Sequence, residues 1–165
     1  MVFLGIDPGT AITGYGLIRE DGESLQAVAQ GAITTPSDWG LPRRLVDLHR
    51  QLSDLIVLHR PVSAAVEQIF FNRNVRTALA VGHARGVILM TLAQAGLPVT
   101  EYTPLQVKQS VTGYGRADKK QIQEMVRILL GLPDIPRPDD VADALAIAIC
   151  HLYSSRLSGL ASSSA

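Results

Sequence analysis

The sequence predicts an α/β fold: a mixed sheet of five strands with helices on its faces. Two observations lead there. The first 34 residues read as three strands in meander order, and beyond residue 40 helical and strand-like segments alternate. The Val2–Ile6 run is apolar and stops at Asp7-Pro8-Gly9, a strand followed by a turn. A second strand is expected near Gly14–Arg19, and Asp21-Gly22 turns the chain into a third over Ser24–Thr34. Leu45, Leu48, Leu52, Leu55 and Ile56 recur at helical spacing, predicting a helix over Leu41–His59.

Pro61 then introduces a fourth strand, Val62–Glu67. A long helix over Asn74–Ala95 stops at Gly96, before a fifth strand at Val99–Tyr102. Thr103-Pro104 is an N-cap followed by Pro at the first helical position, opening a short helix through Val111. Asp118-Lys119-Lys120-Gln121 has the form of a capping box for a helix ending at Leu130, with Gly131 beyond it. A last helix starts near Asp139 and is expected to fade before the Ser-rich tail. The predicted organisation is therefore one domain over 1–157 and a disordered tail over 158–165.

Composition narrows the class. A chain of 165 residues, 47% apolar and 18% charged, suits one ordinary globular domain. No apolar run approaches the roughly 20 residues of a membrane span, and Asp7-Pro8 interrupts the N-terminal apolar stretch as no signal peptide would. Cys150 is the single cysteine, which excludes an intrachain disulfide and a cysteine zinc site. A cytoplasmic protein is the default expectation. Formal charge is zero, yet Glu67 to Leu130 holds eight bases against four acids, a distribution that suits a phosphate-bearing partner.

Four carboxylates carry the chemistry. Asp7 and Glu67 follow apolar strands at their C-terminal ends; if those strands are parallel neighbours, both acids meet at the edge where α/β proteins build sites. Asp140 and Asp143 are three apart at the start of the last helix and share a face, while Asp139 lies about 100° away. Bland readings exist for some of them. Asp139 or Asp140 serves as well as an N-cap, Asp143 as an acid of the first turn, and Asp7 as a turn residue. A strand-end Glu67 has no such role. Four oxygen donors without a converging His or Cys pair suit Mg²⁺ or Mn²⁺ rather than zinc.

Ordered blocks sharpen this picture. Gly5-Ile6-Asp7-Pro8-Gly9, Val66-Glu67-Gln68 with Phe70, Ala84-Arg85-Gly86, Gln106-Val107-Lys108-Gln109 and Asp140-Val141-Ala142-Asp143-Ala144-Leu145-Ala146-Ile147-Ala148-Ile149 together resemble the bacterial RuvC family of Holliday-junction resolvases. The resemblance runs from Val2 to His151. It implies an RNase H-like fold, a homodimer, and Mg²⁺-dependent cutting of two opposed strands of a four-way DNA junction. It places the catalytic, metal-binding tetrad on Asp7, Glu67, Asp140 and Asp143, with two Mg²⁺ per subunit for which Mn²⁺ substitutes. Two ions about 4 Å apart would clamp the scissile phosphate, with Asp7 bridging them. The resemblance also implies the branch-migration proteins RuvA and RuvB as partners.

Lys119 and Lys120 fall in the first turn of their helix, where the macrodipole disfavours cations. Lys120 is readily a solvated surface lysine; the resemblance gives Lys119, and likewise Lys108, a role beside the scissile phosphate. Arg73, Arg76, Arg85 and Arg116 are candidates for contacts to backbone phosphates, and Arg85 equally for an interfacial ion pair. Of Phe70 and Phe71, Phe70 is expected to face DNA and stack on an exposed base. On the long helix, apolar residues cover more than one stripe, and Gly82 and Gly86 permit close approach of another helix, which the resemblance makes a dimer interface. His49, His59, His83 and His151 read as structural or solvated. The rival classes are an actin-like ATPase, from the likeness of Gly5-Ile6-Asp7-Pro8-Gly9-Thr10 to its phosphate loop, and a non-catalytic junction-binding module.

Overall fold

The computed structural model describes residues 1–68 and 75–163, with only the backbone considered at 75–77 and 158–163. Three antiparallel strands open the chain: β1 (Val2–Asp7), β2 (Ile12–Asp21) and β3 (Ser24–Thr34). Helix α1 (Leu41–His59) leads to β4 (Ser63–Glu67), and α2 (Val75–Gln94) to β5 (Val99–Tyr102). Then follow α3 (Pro104–Thr112), α4 (Lys119–Leu129) and α5 (Asp139–Ser163). The sheet order is β3-β2-β1-β4-β5, with β1 antiparallel to β2 and parallel to β4. This is the mixed, helix-flanked sheet that the sequence predicted.

Strand alternation sorts the core into two layers. Leu4, Ile6, Leu17, Ala64 and Val66 pack with Leu48, Leu52, Ile56, Ala84, Ile88 and Leu92 on the α1/α2 face. Phe3, Ile18, Ala65 and Tyr102 face the other way, onto Val107, Val126 and the apolar run of α5. Both short helices start as their sequences predict. Thr103 and Gln106 form one capping box, Asp118 and Gln121 another.

The α5 face of the sheet is unusually bare. Gly5 and Gly16 are register partners, and Gly14 is the partner of Asp7. A Cβ on Gly14 would overlap the Asp140 carbonyl, one on Gly5 would overlap the backbone of Ala144 and Ala148, and one on Gly16 would lie 2.6 Å from Leu145 Cδ2. Glycine at these three positions lets the helix lie directly on the strands.

Two expectations change. Helix α5 continues to Ser163 instead of fading near Ser158, as Leu157, Leu160 and Ala161 are good helix formers. Asp139, one of the two candidate caps, is the first residue of α5, and its carboxylate is turned to the side chains of Gln123 and Arg137.

Candidate active site

Asp7 sits where β1 ends, and alternation along the strand puts it on the α5 side with Phe3 and Gly5. Glu67 closes the parallel neighbour β4 on the same side, in line with Ser63 and Ala65. The close seating of α5 on Gly14 then brings Asp140 and Asp143 to the same edge. All four predicted carboxylates are thus neighbours. Burial first, then the charges of Glu67, Asp143 and Asp140, together push the Asp7 carboxyl up to about 8 against the pull of Lys119. Burial also raises Glu67, as does Asp143, with Lys108 and Lys119 opposing. Asp143 is raised by burial against the pull of Lys119.

Lys119 is the principal local answer to this charge. Its Nζ lies 3.2 Å from Asp139 Oδ2 and 3.3 Å from Asp143 Oδ2. Burial works to lower its pKa, but the two acids outweigh it and hold the ammonium above the ordinary range. Those acids also resolve the apparent misplacement of a cation at a helix start. Asp139 is itself held by Gln123 Nε2 at 3.1 Å and Arg137 Nη1 at 3.0 Å. Sequence reasoning missed this role. The signal available was the unfavoured Lys119, which needed an anion from elsewhere.

Beside the carboxylates lies a cleft of about 220 Å³, lined by Glu67, Pro104, Val107, Lys108, Lys119, Ile122, Asp143 and Ala146. It gathers the two lysines singled out from the sequence. Arg116 and Lys120 are exposed around the α4 N-terminus, with Lys120 lining a separate groove beside Thr112, Tyr114 and Gln121. Phe70 and Arg73 lie outside the described residues, as does the Arg76 side chain. Arg85 is joined to Glu101 of its own chain at 2.5 Å, so its acid partner lies within the fold.

The donor set fits a hard divalent cation: carboxylates alone, all half-buried, with fewer cations than anions nearby. Among the described residues, no three His, Cys, Asp or Glu side chains are already spaced as a finished cation cage. The Lys119 ammonium meets Asp143. Metal would take over part of that compensation.

Elsewhere, His151 is structural: Nε2 shares a hydrogen with Ser63 Oγ at 2.8 Å and Nδ1 with the Tyr102 hydroxyl at 3.0 Å, deep behind the sheet. His49 Nδ1 joins Thr91 Oγ1 at 2.8 Å, tying α1 to α2. Among the described residues nothing covers the second apolar stripe of α2, with Leu79 60% and Met90 45% exposed; a Cβ on Gly82 or Gly86 would meet none of them within 4 Å beyond its own helix. No helix among the described residues is long and apolar enough to cross a membrane.

Known proteins share this arrangement. A family model described as crossover junction endodeoxyribonuclease RuvC matches residues 3–151. The crossover junction endodeoxyribonuclease RuvC of Rubrobacter xylanophilus is 62% identical over 157 residues, 95% of this chain and 88% of that protein. The Syntrophomonas wolfei counterpart is 58% identical over all 165 residues, 96% of its own length. The structure of Thermus thermophilus RuvC in complex with a Holliday junction substrate superposes with a TM-score of 0.91 at 37% identity, covering 96% of each chain. The matched span carries all four clustered carboxylates, and with it the chain belongs to the RuvC family of crossover junction endodeoxyribonucleases.

Proposed function

We propose that this chain is a Holliday-junction resolvase that makes paired, symmetric nicks in four-way DNA by metal-assisted phosphodiester hydrolysis during recombination and repair. The observation that carries the reading is the half-buried Asp7 faced by Glu67, Asp140 and Asp143 in a chain of this family. Asp7, Glu67, Asp140 and Asp143 would hold two Mg²⁺ per subunit, and Mn²⁺ would serve in their place. When bound, the cations supply a water of lowered pKa and charge stabilisation for the leaving oxygen. The rest falls to side chains. Lys119, held by Asp139 and Asp143, would present an ammonium to the phosphate that enters the cleft, which Lys108 also lines.

Arg116 and Lys120 would position the DNA backbone without reading sequence. Phe70, Arg73 and Arg76 complete the proposed contact set on the segment after Glu67, with Phe70 stacking on a base at the opened crossover. The open α2 stripe with Gly82 and Gly86 suits a two-fold dimer seam, and two sites in one dimer account for symmetric cuts. Branch-migration proteins RuvA and RuvB, in the cytoplasm, would deliver the junctions. The ATPase reading is disfavoured by the match of residues 3–151 to a nuclease family.

The test compares a synthetic four-way junction with linear duplex of the same sequence, with and without Mg²⁺. The expected result is paired nicking of the junction alone, dependent on the cation. Equal cutting of both substrates would overturn junction specificity while keeping the nuclease. Asp7→Asn is expected to abolish cleavage and leave junction binding largely intact.

A further inference from the structure

We propose that Arg44, at the start of α1, is a phosphate clamp for the DNA strand on the β3 side of the carboxylate site. The idea rests on the nuclease reading above and adds a contact on the flank opposite Lys108 and Lys119. The strand order places β3 two strands from β1, about 10 Å across the sheet edge. That is about three nucleotides of rise along one strand.

The start of α1 is stitched to the loop that leaves Asp7. Thr35 N donates to Ala11 O at 3.2 Å, and Thr35 Oγ1 donates to Thr10 O at 2.8 Å. Arg44 Nε in turn donates to Thr35 Oγ1 at 2.9 Å. This fixes the guanidinium beside the catalytic loop, yet engages one of its five N–H donors.

What Arg44 lacks is an anion. Arg50, Arg85, Arg127, Arg137 and Arg156 each meet a carboxylate: Asp47, Glu101, Glu124, Asp139 and Glu20. Among the described residues Arg44 meets none, although it is half-buried and held in place. The nearest acid along its helix, Asp47, is taken by Arg50 at 2.7 Å and Gln51 at 2.7 Å. The first turn of α1 contains no acid, and its N-cap is Gly40, which offers no side chain to the free backbone N–H groups. Arg43 adds a second cation, exposed and held 3.6 Å above the Trp39 ring.

A fixed guanidinium with two free terminal nitrogens matches the paired oxygens of a phosphodiester. Its charge, the neighbouring Arg43 and the helix start all favour the same anion. Placed on the catalytic edge, the group would hold the strand that runs over Asp7 from the side away from Lys119.

The test measures binding of a fluorescent four-way junction in EDTA, as log Kd against log salt concentration. Arg44→Gln keeps a donor for Thr35 and removes the charge; it is expected to weaken binding about threefold to tenfold and to flatten the salt slope by about 0.9. Arg44→Lys is expected to keep the slope. Thr35→Val removes the brace without touching the charge, and its slope should match the parent chain. An unchanged slope in Arg44→Gln, or equal flattening in Thr35→Val, would overturn the clamp alone. Failure of the parent chain to prefer the junction over duplex would overturn the functional reading and the clamp with it.

Discussion

The glycines of β1 and β2 and the glycines of α2 look alike in sequence and do opposite work. Gly5, Gly14 and Gly16 are spent on contact: each gives up its side chain so that α5 lies against the sheet. Gly82 and Gly86 face open space on a stripe that nothing among the described residues covers. The first group brings Asp140 and Asp143 to Asp7. The second leaves a surface for another molecule. A missing side chain is therefore a constraint on one face and an opportunity on the other, and substitution separates them.

The largest effect is expected at Gly14. In Gly14→Ala the new methyl overlaps the Asp140 carbonyl and sits 3.0 Å from its Cβ, so the first turn of α5 must move. Overpacking of this kind costs about 1–3 kcal/mol. Displacing a catalytic carboxylate by an ångström costs about a hundredfold in rate. Single-turnover cleavage of a junction by a variant that still melts cooperatively checks this; near-normal cleavage would show that the seating of α5 does not set the site.

Asp7→Asn reads the electrostatic side of the same contact. The folded-state pKa of about 8 lies above the ordinary aspartate value of 3.8. Between those values the folded protein binds more protons than the unfolded chain, so stability contributed by Asp7 is full below about pH 4 and lost as pH rises through about 8. Without divalent cation, Asn at position 7 is expected to raise stability at pH 8 while abolishing cleavage. Thermal melts in EDTA at pH 5 and pH 8 decide it, because the gain should shrink at the lower pH. Equal melting of both proteins at pH 8 would mean that Asp7 is not under charge stress.

A smaller effect is expected from Asp139→Asn. Lys119 would keep Asp143 and lose its other carboxylate, so its ammonium would be less well placed. Loss of such an outer support costs about tenfold. The decrease should fall on the rate of cutting, with junction affinity unchanged; a loss confined to affinity would argue that Asp139 acts on DNA binding instead.

Much of this was legible in the residues. The segments Ser24–Thr34, Leu41–His59 and Val99–Tyr102 have the predicted bounds, because each is framed by a turn, a proline or a helical period that is local in sequence. The four carboxylates stood out since each ends or begins an apolar run. Their convergence required knowing that β1 and β4 are parallel neighbours, which motif order implied and strand pairing provides. The roles of Asp139 and Arg44 were not legible. Each depends on a side chain from a separate segment, Lys119 for one and Thr35 for the other, and no local period encodes such meetings. The bare sheet face was half visible: Gly5-x-Asp7 and Gly14-x-Gly16 alternate at strand period, but only the packed helix explains why.

The smallest effect within the chain, and the sharpest contrast with Gly14, is expected at Gly86. Gly86→Ala introduces a methyl that meets no atom within 4 Å and replaces the weakest ordinary helix former with the strongest. The isolated subunit should therefore gain up to about 1 kcal/mol of stability. If α2 packs against a second copy through this stripe, the same methyl forces the helices apart, and self-association should weaken as the subunit itself is strengthened. Sedimentation across a concentration series, beside melts at the lowest concentration, separates the two. A more stable subunit with unaltered association would place the dimer seam elsewhere and leave Leu79 and Met90 exposed for another partner.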